Sequence, residues 1–163
     1  MDIRAINEED AGNLSALSIF VWLNTYAKNG IRDNISNFVL NEFNQERFKK
    51  IANSIEKEAF IAICDQHVVG MVIIDLGSKY EGSQDFGSEI ETLYVHPNFQ
   101  RRGIGKLLLN HLKENVTEKS WLKTWVHNTS AIMFYEQNGF KIVGKAEFNL
   151  LNEVHINHVL SNR

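Results

Sequence analysis

Ser88–Lys113 reads SEIETLYVHPNFQRRGIGKLLLNHLK, and its hydrophobic period changes part-way along. From Glu89 to Val95 the residues alternate with a period of two and are rich in β-branched and aromatic types, which predicts a strand. Pro97 ends it, and a polar turn leads into Gln100-Arg101-Arg102-Gly103-Ile104-Gly105. From there Ile104, Leu107, Leu108 and Leu112 fall at helical spacing, so a strand delivers the chain through a glycine turn straight into a helix. The first N–H groups of a helix lack partners and carry partial positive charge, so an anion is expected at this turn. Gly103 and Gly105 let backbone approach a bulky anion closely, and Arg101, Arg102 and Lys106 surround it with charge. The competing reading is an ordinary strand–loop–helix with exposed basic residues.

Two nucleotide loops can be tested against these residues. A P-loop needs glycine where Gln100 stands and Ser or Thr where Leu107 follows Lys106. A dinucleotide fingerprint needs glycine at Leu108 and an acidic residue near Lys123. Neither pattern is met.

The stretch resembles the coenzyme-binding core of the GNAT N-acetyltransferases, whose signature [Q/R]-x-x-G-x-[G/A] follows a strand ending like LYVxP. Both parts stand here as LYVHP and QRRGIG, and Asn128–Phe140, NTSAIMFYEQNGF, is similar to the family's NxxAxxFYxxxGF. The resemblance implies an α/β (α+β) fold: a mixed central sheet of six to seven strands, about four helices, and a slot for acetyl-CoA where the fourth and fifth strands splay. It also implies the site. Leu93, Tyr94 and Val95 would present backbone N–H groups to the thioester carbonyl. Gln100, Arg101, Arg102, Gly103, Ile104, Gly105 and Lys106 would hold the diphosphate, and Asn128 the pantetheine arm.

Tyr135 matches the family tyrosine placed beside the coenzyme sulfur, where a phenol of pKa about 10 can protonate a thiolate of pKa about 8.5. An acceptor amine of pKa about 10.4 must lose a proton before attack. Glu89 and Glu91 are the candidate bases: two apart on one strand they nominally share a face, although the family often has a bulge here. Structural packing for Tyr135 and plain surface ion pairs for the glutamates are the competing readings. No nucleophile is placed for a covalent intermediate, so direct transfer is expected.

Length and composition frame this. The chain has 163 residues, 44% hydrophobic and 23% charged, enough for one well-buried core, and no Gly/Ser/Pro-rich linker divides it, so one domain over 1–163 is expected. No basic head precedes an apolar run, and no stretch approaches about 18 apolar residues, so the expectation is a cytoplasmic protein without membrane association. One cysteine, Cys64, falls in a predicted strand and reads as a small core residue. No metal is expected: His155 and His158 sit three apart in a strand-like segment and would point to opposite faces.

Net charge is −3, but residues 1–97 carry 8 Lys+Arg against 15 Asp+Glu while residues 98–163 carry 9 against 5. Under the family reading the basic half holds phosphates and the acidic half attracts a cationic amine. Nucleic-acid binding is not expected of so acidic a chain.

The rest predicts a first strand over Asp2–Ile6, a helix capped by Asn7 and running to about Tyr26, and helical structure over Asp33–Ile55 broken near Phe43-Asn44. The resemblance implies that acceptor specificity sits in this helical pair, which makes VWLNTYAKNGI a candidate acceptor wall, with the core as the competing assignment for its aromatics Trp22 and Tyr26. Ala59–Cys64 and Val68–Asp75 read as a hairpin about Asp65-Gln66-His67, Trp121–Val126 as a strand, and Phe140–Phe148 and Asn152–Leu160 as closing strands. Glu81 and Asp85, in the polar loop Gly77–Gly87, either meet a cationic acceptor or keep the loop soluble.

For the acceptor, EIETLYV and WLKTWVHNTSAIMFY are similar to runs in bacterial spermidine/spermine acetyltransferases, which suggests a polyamine or other small cationic amine. Acetylation of a protein α-amine or lysine is the alternative, and a non-catalytic acyl-CoA-binding module is a reading of another class. A homodimer is left open.

Overall fold

Apolar runs in β2 (Lys57–Cys64) and β3 (His67–Asp75), the second buried on successive residues, pair antiparallel about a tight turn in which Asp65 and Gln66 both take positive φ. That is the turn geometry that matches the twist of a two-residue hairpin. The computed structural model describes residues 1–81, 86–150 and 153–163. Around the hairpin the sheet grows to seven strands in the order β1-β2-β3-β4-β5-β7-β6, with β1 (Asp2–Ala5), β4 (Ser88–Val95), β5 (Ser120–Trp125), β6 (Lys141–Leu150) and β7 (Glu153–Ser161). Neighbours run antiparallel except β4 and β5, which are parallel and joined through a helix. The predicted mixed sheet is therefore present.

Five α-helices lie among the described residues: α1 (Ala11–Tyr26), α2 (Asp33–Glu42), α3 (Gln45–Ala52), α4 (Ile104–Asn115) and α5 (Thr129–Gln137). The predicted break near Asn44 is real, and the Asn44 side chain accepts from the Arg47 amide to start α3. Leu14, Leu17, Val21, Val39, Phe48 and Ile51 pack on Ile61, Met71 and Ile73, so α1–α3 cover one face of the sheet. Ile104, Leu108, Leu112 and Tyr135 pack on Val72, Ile74, Ile90 and Leu122, so α4 and α5 cover the other.

Leu107 departs from the expected buried stripe: it is 45% exposed, and Leu109 is buried in its place. A stripe set by Ile104, Leu108 and Leu112 admits one i+5 neighbour, and α4 turns its Leu109 side to the sheet. Of the closing strands, Asn152 lies outside the described residues, as does Asp85. Glu81 stands at φ +50 beside Tyr80, whose ring packs against Trp121 and Phe86.

The entry to α1 is tied down by charge. Asn7 accepts from the Glu9 amide, Asp10 accepts from the Asn7 amide at 2.8 Å, and Arg4 clamps the Asp10 carboxylate with two 2.8 Å bonds. The Arg4 guanidinium, then the Asn7 amide, hold the Asp10 carboxyl below its ordinary value against the opposing effect of burial. Its contribution is therefore complete above about pH 4, the unfolded carboxyl value, and is lost as pH falls through the depressed folded value. Asp10→Ala is expected to cost about 1–2 kcal/mol in urea unfolding at pH 7, with the gap from the parent closing as the titration is repeated toward pH 3.

Candidate active site

β4 and β5 are registered only at Ser88 with Ser120 and Glu89 with Trp121. Past that point β5 keeps its other neighbour, β7, while β4 keeps β3, so the facing edges separate. Backbone groups alternate sides along a strand. The His96 amide donates to Val69 of β3, which turns the Tyr94 backbone to β3 and the Leu93 and Val95 N–H and carbonyl groups to the opened edge. Gln100 closes one of these, donating from its side-chain amide to the Val95 carbonyl at 3.2 Å.

The glycine turn stands at the end of that edge. Gly103 is the N-cap of α4 with φ +84, and α4 has no side-chain cap bond. A Cβ on Gly103 would meet nothing within 4 Å, so the turn's outer face is open, whereas one on Gly105 would press on the Phe134 ring at 3.0 Å. Gly105 is thus needed for α5 to approach α4, a role the sequence pattern did not separate from anion binding. Arg101 takes φ +59, Arg102 lies over the Phe99 ring, and both are exposed with Lys106. Ile104 is buried, so only its backbone faces the turn.

Asn128 starts α5 by accepting from the Ala131 amide at 3.3 Å. Its carbonyl is thereby committed to the cap, and its side chain also stands beside the Tyr26 hydroxyl. Burial raises the Tyr26 phenol and the neighbouring Asn128 works against that rise. Tyr135 is buried, its ring between Phe134 and Phe140. Burial first, and then the nearby Tyr26, push its phenol well above the usual tyrosine range. Tyr94 is raised likewise, by burial and then by Tyr26.

Glu89 and Glu91 are both engaged. Opposite Ile73 and Ile74 the register jumps from Thr92 to Ile90, which leaves Glu91 as the extra residue of a bulge. Glu91 is held by Lys57 and lies 4.0 Å from Arg47 of α3. Lys57 also bridges to Asp75 at 3.3 Å. Glu89 accepts from Lys123 at 2.9 Å and from the Ser78 hydroxyl at 2.6 Å.

On the α1–α3 side of the parting strands lies a cavity of about 240 Å³. Trp22, Tyr26, Trp125 and Phe148 form its walls, and Arg32, Lys123, Glu153 and His155 are its charged or titratable lining. Sequence reading singled out Trp22 and Tyr26 here. It missed Trp125, Phe148 and His155, which come from β5, β6 and β7 and meet only through the sheet order. The carboxylates of the acidic N-terminal half are absent from this lining. Among the described residues no group of His, Cys, Asp and Glu is arranged to hold a metal.

Residues 21–140 match the model of the acetyltransferase (GNAT) family. The chain belongs to that family. A GNAT relative, an uncharacterised N-acetyltransferase of Lactobacillus delbrueckii subsp. lactis, is 29% identical over 82% of this chain and 80% of its own. The spermidine N(1)-acetyltransferase of Thermoplasma acidophilum is 25% identical over 87% of this chain and 89% of its own. Among solved structures, the PaiA N-acetyltransferase of Thermoplasma acidophilum in complex with coenzyme A superposes with a TM-score of 0.80 at 19% identity, covering 99% and 98% of the two chains. At that identity the likeness shows the GNAT fold. The protein is accordingly an acyltransferase of the GNAT N-acetyltransferase type.

Proposed function

We propose that the whole chain works as one domain that moves an acetyl group from acetyl-CoA to a primary amine by direct transfer, where β4 and β5 part. One observation carries this reading: the Leu93 and Val95 amides face an unpaired edge that ends at the uncapped start of α4. The open face over Gly103 fits a diphosphate, with the Gly103, Ile104, Gly105 and Lys106 amides on one side and the Arg101, Arg102 and Lys106 side chains around it. Gln100 holds the turn to the end of β4, and Asn128 offers its side-chain amide to the pantetheine arm. Bound acetyl-CoA supplies an activated thioester.

The chain's own residues do the rest. Leu93 and Val95 donate hydrogen bonds to the acyl oxygen, a fixed polarising pair in a water-poor slot. Tyr94 serves through its ring, since its backbone is turned to β3. Glu89 takes the amine proton, being linked to the cavity wall through Lys123, whereas Glu91 is bound up with Lys57 and Arg47. As the carbon–nitrogen bond forms and the carbon–sulfur bond breaks, Tyr135 gives the sulfur its proton. An intact Tyr135 and Glu89 favour turnover over a silent binding module.

The acceptor is an amine. Similarity to spermidine/spermine enzymes, including the spermidine N(1)-acetyltransferase relative, offers a polyamine, with a protein α-amine or lysine as the alternative, but similarity in a coenzyme-binding core says little about the acceptor. A cytoplasmic location is consistent with the single half-buried thiol of Cys64, and no described helix is long and apolar enough to cross a membrane.

Calorimetry should register coenzyme A binding. Joint reversal, Arg101→Glu with Arg102→Glu, should weaken that binding about tenfold to a hundredfold and flatten its salt dependence. A crystal soaked with coenzyme A that leaves the glycine turn empty, or a titration without heat, would remove the proposal.

A further inference from the structure

The cavity walls say more about the acceptor than the family does, on the reading just given that acetyl transfer occurs beside them. We infer that this cavity takes a primary amine carried on an aromatic body with no second cationic centre. Trp22 and Tyr26 lie with ring centroids 4.9 Å apart, and Tyr26 and Trp125 5.7 Å apart, tilted by 44° and 56°, so three adjoining aromatic rings from two elements, Trp22 the deepest, line one side of the cavity. Phe148, Ile35 and Leu150 add to the apolar lining. Such walls reward a ring, which fills them at small entropic cost. At about 240 Å³ the space lies below the roughly 300–1,000 Å³ of drug-sized sites, which suits one or two rings.

Charge separates this class from a polyamine. Aromatic faces attract one ammonium, the one to be acetylated. Further ammonium groups would find no unpaired carboxylate here, because each cation of the lining, Arg32 and Lys123, is already matched by one. The carboxylates within reach are already paired: Glu153 with Arg32 at 2.8 Å, and Glu89 with Lys123 at 2.9 Å. His155, 3.7 Å from Glu153, adds no negative charge. A lysine side chain presented by a protein would enter as a thin aliphatic thread and leave the ring walls unfilled.

The cavity is also joined to the reaction centre. Thr124 and Trp125 line the cavity from the part of β5 that has already left β4, and the Tyr26 ring lies 5.7 Å from that of Trp125. An aromatic body seated in this cavity therefore lies beside the parting strands. Two sources share this chemistry, an arylalkylamine without a carboxylate and an aromatic amino acid with one that Arg32 or Lys123 would meet.

The test titrates the full chain with phenethylamine, phenylalanine, spermidine and an Nα-blocked lysine. It follows Trp22 and Trp125 fluorescence without coenzyme, and coenzyme A release with acetyl-CoA present. Phenethylamine or phenylalanine should quench the fluorescence and show kcat/KM at least about tenfold above spermidine and the blocked lysine. A lead for phenylalanine assigns the carboxylate to the cations; a lead for phenethylamine assigns a neutral body. Arg32 and Phe148 are exposed enough that neither holds the core. Arg32→Glu should move the preference toward spermidine, and Phe148→Ala should raise KM for the aromatic amine about tenfold with little change in kcat. Preference for spermidine or the blocked lysine, or absence of quenching while coenzyme binds normally, overturns the assignment alone. Quenching by the aromatic amine without coenzyme binding leaves it standing and removes the acetyl-transfer reading instead.

Discussion

Tyr135→Phe is expected to lower kcat about 10²–10³-fold while leaving coenzyme affinity and thermal stability close to the parent. The expectation follows from what the change removes. The ring keeps its packing between Phe134 and Phe140, so the core loses no volume, and only the hydroxyl disappears. A thiolate leaving group, of ordinary pKa about 8.5, is then expelled without a proton donor. The pH dependence gives a second readout. Burial and the neighbouring Tyr26 raise the Tyr135 phenol above its ordinary value, so it stays protonated beyond about pH 10. The ratio of parent to variant kcat should therefore be constant from about pH 6.5 to 9.5 and shrink only in stronger alkali. Full turnover by the variant across that range would remove the proton-donor role, and an equal loss in unfolding free energy would recast Tyr135 as packing.

Gly87→Ala should be the most destabilising small substitution in the site's framework, by about 2–4 kcal/mol, or about 4–16 °C in Tm. Gly87 stands at φ +72, and a Cβ there would overlap the Lys119 backbone carbonyl. That carbonyl accepts from the Ser88 amide at 3.2 Å, beside the two registered pairs that hold β4 to β5. Moving it would disturb the hinge from which the strands diverge, so coenzyme affinity should fall along with stability. Gly103→Ala is the internal control: φ is also positive at +84, but the space is open, so only about 1–2 kcal/mol of backbone strain is expected. Equal costs for the two substitutions would show that the Lys119 contact is of no consequence.

How much was legible beforehand differs from element to element. The caps at Asn7, Asn44 and Asn128, the hairpin at Asp65-Gln66 and the strand–turn–helix at Ser88–Lys113 are local features, governed by side chains within a few residues of the backbone they satisfy. Their sequence signals are correspondingly direct. Leu107 misled because helical spacing admits more than one stripe, and which of two adjacent leucines is buried depends on how α4 is rotated against the sheet. The two glutamates were equivalent on paper. The bulge at Glu91 and the partners Lys57 and Lys123, from strands on opposite sides of β4, made them distinct. The charge split between the halves is not repeated in the cavity lining, which draws from both halves and whose carboxylate, Glu153, is paired with Arg32.

The sequence by itself determined that a strand enters a glycine turn and a helix able to hold an anion, and that the chain resembles the GNAT family, because period, caps and motif spacing are properties of neighbouring residues. Only the tertiary structure decided which amides face the open edge, which cations hold each glutamate and which side chains line the cavity. Those facts depend on strand order: β5, β6 and β7 bring Trp125, Phe148 and His155 to one cavity with Trp22 and Tyr26 of α1, from positions far apart along the chain, and no local pattern encodes that meeting.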